Sequence, residues 1–258
     1  YFLEAKYIFN HIKEPTDLQK STKLLQKSIE LDDNFAESHA GLGFNYHNSG
    51  QFDDAEEEFD LAEEISLDNK DYKSLSIVYN YKASFYRQNK KYKKAIRFFE
   101  KALKYQKEVQ DEITEANILH NMSGCLADSK INEYDKAFQL LDRSKEVYKR
   151  YEMYSYLANT YAEIGNASKN LNMFSKTLEN YEKAKQYFFK EEMSYNIIRI
   201  SIVISDIYNQ LGLSEIAREH IKPIMDSALL FKDQIVLGRI ESALSKTYEI
   251  EFKYDIAI

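Results

Sequence analysis

Residues 36–69 read AESHAGLGFNYHNSGQFDDAEEEFDLAEEISLDN, which is two amphipathic segments on either side of a glycine. In the second segment the small residue Ala55 is followed by Phe59, four residues or about one helical turn later. Gly50 separates the segments, and glycine commonly ends a helix because it adopts left-handed dihedrals without strain. The stretch therefore predicts two antiparallel helices joined by a short turn.

The pattern of a small residue followed by a large one recurs at intervals of 34, 40, 42, 40 and 40 residues. The pairs are Ser21/Leu25, Ala55/Phe59, Ala95/Phe99, Ala137/Leu141, Thr177/Tyr181 and Ala217/Ile221. A second pattern, in which a large and a small residue precede a tyrosine, occurs at Leu42-Gly43-Tyr46, Leu157-Ala158-Tyr161, Ile204-Ser205-Tyr208 and Leu244-Ser245-Tyr248. Neither helix of such a pair can bury its apolar face alone, so the pairs are expected to stack.

Composition excludes several fold classes. The 258 residues include 7 glycines and 2 prolines, too few for the turns of a β-sandwich, a barrel or a doubly wound sheet. The sequence has no run of about 18 apolar residues that could span a bilayer. Cys125 is the single cysteine, so an intrachain disulfide is excluded. The chain begins at Tyr1 without a targeting signal, and we expect a fragment of a longer cytoplasmic protein.

The helix-pair unit resembles the tetratricopeptide repeat. The residues at the family's offsets are Leu42, Gly43, Tyr46, Gly50, Phe52, Ala55, Phe59 and Ala62. His39 stands where tryptophan or another large residue is usual. The longer later units resemble the extended repeats of kinesin light chain and of bacterial peptide-sensing regulators. The resemblance implies an all-α fold, an α-α superhelix built as a right-handed solenoid of antiparallel helix pairs.

We expect one solenoid over residues 1–258. The repeats are placed at approximately 2–35, 36–75, 76–115, 116–155, 156–197, 198–237 and, incomplete, 238–258. Gly165 and Gly212 are predicted to end first helices, as Gly50 does. Gly124 is predicted to lie inside the first helix of the fourth repeat, and Pro223 is predicted to kink or break a second helix. An aromatic or aliphatic residue is predicted to open the second helix of a repeat: Leu18, Phe52, Tyr92, Tyr134, Phe174 and, in the unfinished seventh repeat, Tyr254.

The resemblance implies a non-enzymatic scaffold that binds a protein segment or peptide in a concave groove lined by the first helices. Asparagine recurs among the residues expected to face this groove, and its amide both donates and accepts hydrogen bonds. The predicted groove residues are Lys6, Asn10, Phe44, Asn48, Asn80, Tyr81, Ser84, Arg87, His120, Asn121, Ser155, Asn159, Arg199, Asp206 and Asn209.

Three further interpretations remain open. Residues 23–42 resemble repeats attached to bacterial nucleotidyl cyclases, kinases and DNA-binding regulators, which points to the sensory or interaction region of a signalling protein. A homo-oligomer would cover the apolar residues Leu244, Tyr248, Tyr254 and Ile256 of the last repeat. Direct nucleic-acid binding would use the basic run Lys90–Lys107, although the net charge of −7 makes this unlike most such proteins.

Residues that could carry chemistry do not assemble into a known pattern in the sequence. The five histidines form no H-E-x-x-H or other close ligand pair, and no cofactor or metal is expected. Cys125 is expected to be a small buried residue. The acidic run Asp53–Glu64 and the basic run one repeat later are expected to be solvated helix faces of opposite charge.

Overall fold

The computed structural model describes residues 1–10, 16–128, 130–231 and 234–256, and it describes the side chains of these residues except Asn10, residues 226–236 and residues 250–256. The described residues form thirteen α-helices and no strand, so the predicted all-α solenoid of antiparallel helix pairs is confirmed. Thr16 and Ala127 flank helices rather than belonging to them.

The chain divides into two compact units. The helices of the first unit are α1 (Phe2–Asn10), α2 (Asp17–Leu31), α3 (Ala36–Asn48), α4 (Phe52–Asp68), α5 (Tyr72–Gln88), α6 (Tyr92–Val109), α7 (Glu112–Leu126) and α8 (Tyr134–Arg150). Those of the second unit are α9 (Tyr154–Asn170), α10 (Phe174–Lys190), α11 (Ser194–Gln210), α12 (Ser214–Phe231) and α13 (Gln234–Ile256).

Each pair of helices packs along the small-and-large pattern. The small residues at positions 55, 95, 137, 177 and 217 are completely buried, and the large residues four positions later are buried beside them. Gly43 of α3 likewise allows close packing against α4, because a Cβ at this position would lie 2.9 Å from the carbonyl oxygen of Ala55. The periodic small residues therefore allow the helix backbones to approach closely.

Most turns between the helices use residues other than glycine at the position with positive φ. Gly50 and Gly212 have φ angles of +80° and +73°, as their predicted helix-ending role requires. The equivalent left-handed position is occupied elsewhere by residues with side chains, namely Lys70, Lys90, Gln110, Asn132, Glu152, Asn172 and Glu192. Such a residue costs about 1–2 kcal/mol relative to a right-handed conformation. Stacking of the helix pairs thus imposes the turns even where the local sequence disfavours them.

The prediction that Gly165 ends a first helix is wrong. Gly165 lies inside α9, which continues to Asn170, and the turn that follows uses Asn172 with a φ of +56°. A Cβ at Gly165 would lie 2.6 Å from the ring of Tyr181. Its glycine is therefore required by packing against α10, and the stretch 165–172 extends the helix pair rather than forming a loop.

Near the C-terminus, Pro223 does not break its helix and Tyr254 does not open one, contrary to prediction. Pro223 lies inside α12, which runs unbroken from Ser214 to Phe231, while Ile221 and Ile224 on either side are buried. Proline removes only one backbone donor, and burial of the flanking isoleucines holds the helix. Tyr254 lies within α13, so no second helix begins there. Gly124, by contrast, lies inside α7 as predicted.

Candidate partner-binding surface

The first helices α1, α3, α5 and α7 contact one another in sequence and form a surface of the first unit that we call the first-helix surface. An aromatic strip crosses it, with ring centroids 5.3 Å apart for Phe9 and Phe44 and 5.5 Å apart for Phe44 and Tyr81. Next along the surface, the amide of Asn121 donates to the side-chain oxygen of Asn80 at 3.2 Å. Residues from all four helices therefore make a continuous apolar-to-polar strip.

A cavity of about 370 Å³ opens beside this strip. Its lining residues are Phe44, Ser84, Arg87, Gln88, Tyr92, Asn121 and Gly124. Four of these, Phe44, Ser84, Arg87 and Asn121, were predicted as groove residues, and the structure brings them together from α3, α5 and α7.

Three cavity residues were missed by sequence reasoning. Gly124 was recognised only as an irregular glycine, but a Cβ there would lie 2.6 Å from the guanidinium of Arg87. Oε1 of Gln88 accepts a 2.7 Å hydrogen bond from Nε2 of His47. Tyr92 belongs to α6, and burial together with a hydrogen bond to Asp128 raises its pKa. Of these three residues only Gly124 carried a sequence signal, because a glycine inside a predicted helix is unusual.

His47 links the cavity to the core of the first unit. Its ring lies among Phe44, Phe52 and Phe85, with centroids 6.4, 5.4 and 4.9 Å away. Burial in this aromatic setting lowers the pKa of His47, since the protonated ring would lose its hydration. The buried Nδ1 atom has no hydrogen-bond partner among the described residues.

The other predicted groove residues of the first unit do not line this cavity. Lys6 is half-buried on α1, and Asn48 is exposed but donates to the carbonyl oxygen of Phe44 at 2.7 Å. His120 is half-buried on α7, with its ring 6.3 Å from that of Tyr148. The side chain of Asn10 lies outside the described residues.

In the second unit the predicted residues do not form a comparable cluster. Ser155 is buried, and the buried amide of Asn209 donates to Oγ1 of Thr247 at 3.0 Å, so neither faces a partner. Asp206 lies 3.8 Å from the ammonium of Lys246. Two others are accessible, Asn159 in part and Arg199 fully. The repeat offset correctly placed these residues on first helices but did not reveal which neighbouring helix covers them.

The remaining chemistry-bearing residues are structural where the chain is described. Cys125 is buried, as predicted. No group of three or more histidine, cysteine or acidic residues within the described ranges could hold a metal ion. Likewise, no helix in those ranges is long and apolar enough to cross a membrane.

Comparison with known proteins agrees with the geometry. Residues 74–150 match the family model described as "Tetratricopeptide repeat". The chain is 24% identical over 239 residues to the human protein "Tetratricopeptide repeat protein 29", covering 88% of this chain and 49% of the relative. It thus spans about half the length of the curated relative that it matches.

Solved structures share the fold. One is a Signal Transduction ATPase with Numerous Domains protein with a tetratricopeptide repeat sensor from Pyrococcus horikoshii, with a TM-score of 0.64, 18% identity and coverage of 92% of this chain and 39% of that one. Another is BtubC from P. vanneervenii, with a TM-score of 0.60, 15% identity and coverage of 93% and 90%. Helix pairs, repeat offsets and relatives agree: residues 74–150 match the tetratricopeptide repeat, and the chain is similar to tetratricopeptide repeat proteins over most of its length.

Proposed function

We propose that this protein is a scaffold that binds a protein segment or peptide, and that the first-helix surface of the first unit is where it binds. The observation that carries the proposal is the cavity of about 370 Å³, because four residues predicted from the repeat offset line it together. Proteins of this repeat family are generally non-catalytic interaction scaffolds, and we extend this role to the present chain.

The chemistry of the surface favours a segment with an accessible backbone. Asn80 and Asn121 place amide groups side by side, and an amide can pair with both the N–H and the C=O of an extended chain. Arg87 brings a guanidinium to the cavity, and this group matches a carboxylate with two parallel hydrogen bonds. Phe44 and Tyr81 offer an aromatic face for an apolar side chain.

At a finer level, we propose a cytoplasmic sensory or interaction region of a larger signalling or regulatory protein of bacterial type. The likeness of residues 23–42 to repeats attached to bacterial regulators supports this role. The structural neighbour whose repeats are described as a sensor gives a precedent in another protein.

Selection from a random peptide display library on the purified chain tests the binding surface. We expect enriched peptides whose binding is weakened by Asn121→Ala and abolished by Ser84→Phe, because the phenyl ring would occupy the cavity. Gln186→Ala, an exposed amide on α10, is the matched control and should bind normally. Peptides that bind all three variants equally well would show that the first-helix surface is not the site.

A second candidate is self-association through the last helix. Tyr248 is exposed on α13, whereas Leu244 packs in part against a cluster that includes Ile202 and Ile240. The side chains of Tyr254 and Ile256 lie outside the described residues. The substitution Tyr248→Glu should therefore lower the self-association constant if this helix forms the contact, as light scattering over a concentration series would measure.

A further inference from the structure

Two neighbouring second helices of the first unit carry opposite charge. The helix α4 contains nine acidic residues and no basic one, whereas α6 contains six basic and two acidic residues. Both helices are antiparallel to α5, which lies between them in the chain and contacts both, so they run in the same direction. We call the outward side of these two helices the α4–α6 face.

The charges lie at equivalent repeat positions. Exposed acidic residues follow the outward side of α4 at helical spacing, and the residues 40 positions later on α6 are mostly basic. The matched pairs are Asp53 with Lys93, Glu57 with Arg97 and Glu64 with Lys104. The remaining outward pairs, Asp60 with Glu100 and Asp68 with Glu108, are acidic on both helices, and Lys101 and Lys107 stand beside the acidic residues of α6.

The outward charges of the matched pairs are not neutralised by ion pairs among the described residues. In the described residues none of the six cations of α6 has an ion-pair partner, and neither have Asp53, Glu57 and Glu64. On α8, by contrast, Arg143 and Arg150 each form an ion pair with a carboxylate of α7, at 2.8 and 2.7 Å. The expected solvated faces of opposite charge are therefore present, but no pair joins α4 to α6.

Carboxylates of α4 pair instead with a lysine of α5. The ammonium of Lys82 is buried, lies 2.8 Å from Oδ1 of Asp60 and also pairs with Glu63, which accepts a 2.8 Å hydrogen bond from the hydroxyl of Tyr79. Burial opposes protonation of Lys82, but the two carboxylates outweigh it and its pKa is raised. This core lysine ties α5 to α4 and neutralises Asp60, and it leaves the outward residues Asp53, Glu57 and Glu64 without an ion-pair partner in the described residues.

Aromatic rings hold two of the α6 lysines in place. The rings of Tyr79 and Tyr86 on α5 flank Phe98 on α6, with centroids 5.9 and 5.3 Å from it. The ammonium of Lys94 lies 3.9 Å from the centroid of Tyr86, and that of Lys101 lies 4.8 Å from the centroid of Tyr79. Side chains that are already ordered lose less conformational entropy when a partner binds.

The pattern fits a second copy of this chain better than a uniform polyanion. A nucleic acid on α6 would lie within about one Debye length, roughly 10 Å at 0.1 M salt, of the carboxylates of α4. A two-fold axis parallel to the helices, in contrast, places α4 of each copy opposite α6 of the other. The helix directions and the repeat positions then coincide, so the three pairs of opposite charge and the two all-acidic pairs are each made twice, and the attractive pairs outnumber the repulsive ones.

We propose that the α4–α6 face is a self-association surface, on which a second copy of the chain docks about such an axis. The helices α4 and α6 have 17 and 18 residues and are about 25 Å long. Contact of this pair with the same pair of a second copy would bury roughly 1,000 Å² of surface, counted over both copies. This is the lower limit for a specific interface. The dimer is therefore expected to be weak and strongly dependent on salt, and it leaves the first-helix surface to another partner.

Sedimentation of the full chain over a concentration series tests the dimer. We expect a dimer at about 0.01 M salt that dissociates at about 1 M, where the Debye length falls from roughly 30 Å to 3 Å. A monomer at every concentration in low salt would overturn the proposal. So would a dimer that salt leaves unchanged, since apolar contacts are not screened.

Charge reversal gives a sharper test. The variant Lys93→Glu/Arg97→Glu/Lys104→Glu makes the three matched positions acidic on both helices, and Asp53→Lys/Glu57→Lys/Glu64→Lys makes them basic on both. Each variant alone should dimerise at least about tenfold more weakly, because like charges then face each other. An equimolar mixture should form a heterodimer, since both contacts become complementary again.

The matched control for the α6 variant is Lys149→Glu/Lys169→Glu/Lys222→Glu, which lowers the net charge by the same amount away from this face and should dimerise normally. Circular dichroism checks that all variants keep their helices. Failure of the mixture to associate, or equal weakening in the control, would refute the specific contact. Binding of single-stranded DNA that is lost in the α6 variant while the native chain stays monomeric would assign α6 to nucleic acid instead.

Discussion

The first helices α3 and α11 hold equivalent places in their helix pairs, yet their cores are built differently. Residue 42 of α3 corresponds to 204 of α11, and the turns that follow end in Gly50 and Gly212, both with positive φ. The interior of α3 is polar and hydrogen-bonded, whereas that of α11 consists largely of isoleucine. The buried isoleucines are Ile197, Ile198, Ile200, Ile202, Ile204 and Ile207.

Three buried polar residues of α3 have specific partners. His39 pairs with Glu58 at 2.7 Å, Asn45 donates to the hydroxyl of Ser21 at 2.9 Å, and His47 bonds Gln88. In α11 the positions of His39 and Asn45 are occupied by Ser201 and Ile207, respectively. The same backbone position thus accepts either a directed hydrogen bond or close packing, and the two should respond differently to mutation and pH.

The largest expected effect comes from opening the isoleucine core of α11. Ile204→Ala should lower the free energy of unfolding by about 2–5 kcal/mol, because the side chain is completely buried and its removal leaves a cavity. Urea unfolding measures the change in this free energy, and hydrogen exchange shows whether α10 and α11 open more easily. Ile216→Ala, at a position 37% exposed, should change stability by no more than about 0.5 kcal/mol. Equal effects at the two positions would contradict a tightly packed α11 core.

A smaller change in the free energy of unfolding is expected at one repeat position, which is Gly43 in α3 and Ser205 in α11. Gly43→Ala should destabilise by about 1–3 kcal/mol, because the new Cβ would lie 2.9 Å from the backbone oxygen of Ala55. Ser205→Ala should stabilise by about 1 kcal/mol, since it removes a buried hydroxyl that has no partner in the described residues.

Thermal unfolding of both variants measures the difference in sign. Gly238→Ala is the control for a helical glycine, because nothing lies within 4 Å of a Cβ there, and it should stabilise by about 0.5–1 kcal/mol. A destabilised Ser205→Ala variant would mean that its hydroxyl is satisfied in solution.

The smallest effect is the pH response of α3, and it has two opposing parts. A hydrogen bond that His39 donates to the carboxylate of Glu58 raises the pKa of His39, so its stabilising contribution is present at low pH and is lost as pH rises through the raised value. Burial lowers the pKa of His47, so its neutral form supports folding at neutral pH. That support is lost as pH falls from about 6.5, the unfolded value, towards the lower folded one.

We therefore expect His39→Gln and His47→Gln to change the pH dependence of unfolding in opposite directions. Relative to the native chain, the His39 variant should gain stability as pH rises, and the His47 variant should gain stability as pH falls below about 6.5. Denaturant midpoints across this range measure both. Parallel profiles for the native chain and the two variants would show that neither histidine is coupled to folding.

The sequence itself was sufficient to predict the helix pairs, the family and the residues at their contacts. Small residues such as Ala55 and large ones such as Phe59 recur at a fixed spacing, and a repeated spacing needs only local geometry to be interpreted. The second helices beginning at Phe52, Tyr92, Tyr134 and Phe174 were predicted to the residue. Four residues of the cavity followed from the same offset.

What the tertiary structure decided is which neighbour each residue meets. Gly165 and Gly212 share an offset, but Gly165 is required by the ring of Tyr181 and Gly212 by a left-handed turn. Asn121 and Asn209 were predicted alike, yet the first reaches the cavity and the second is covered by α13. A repeat fixes the face on which a side chain lies, whereas the length and packing of the adjacent helix decide whether that face remains open.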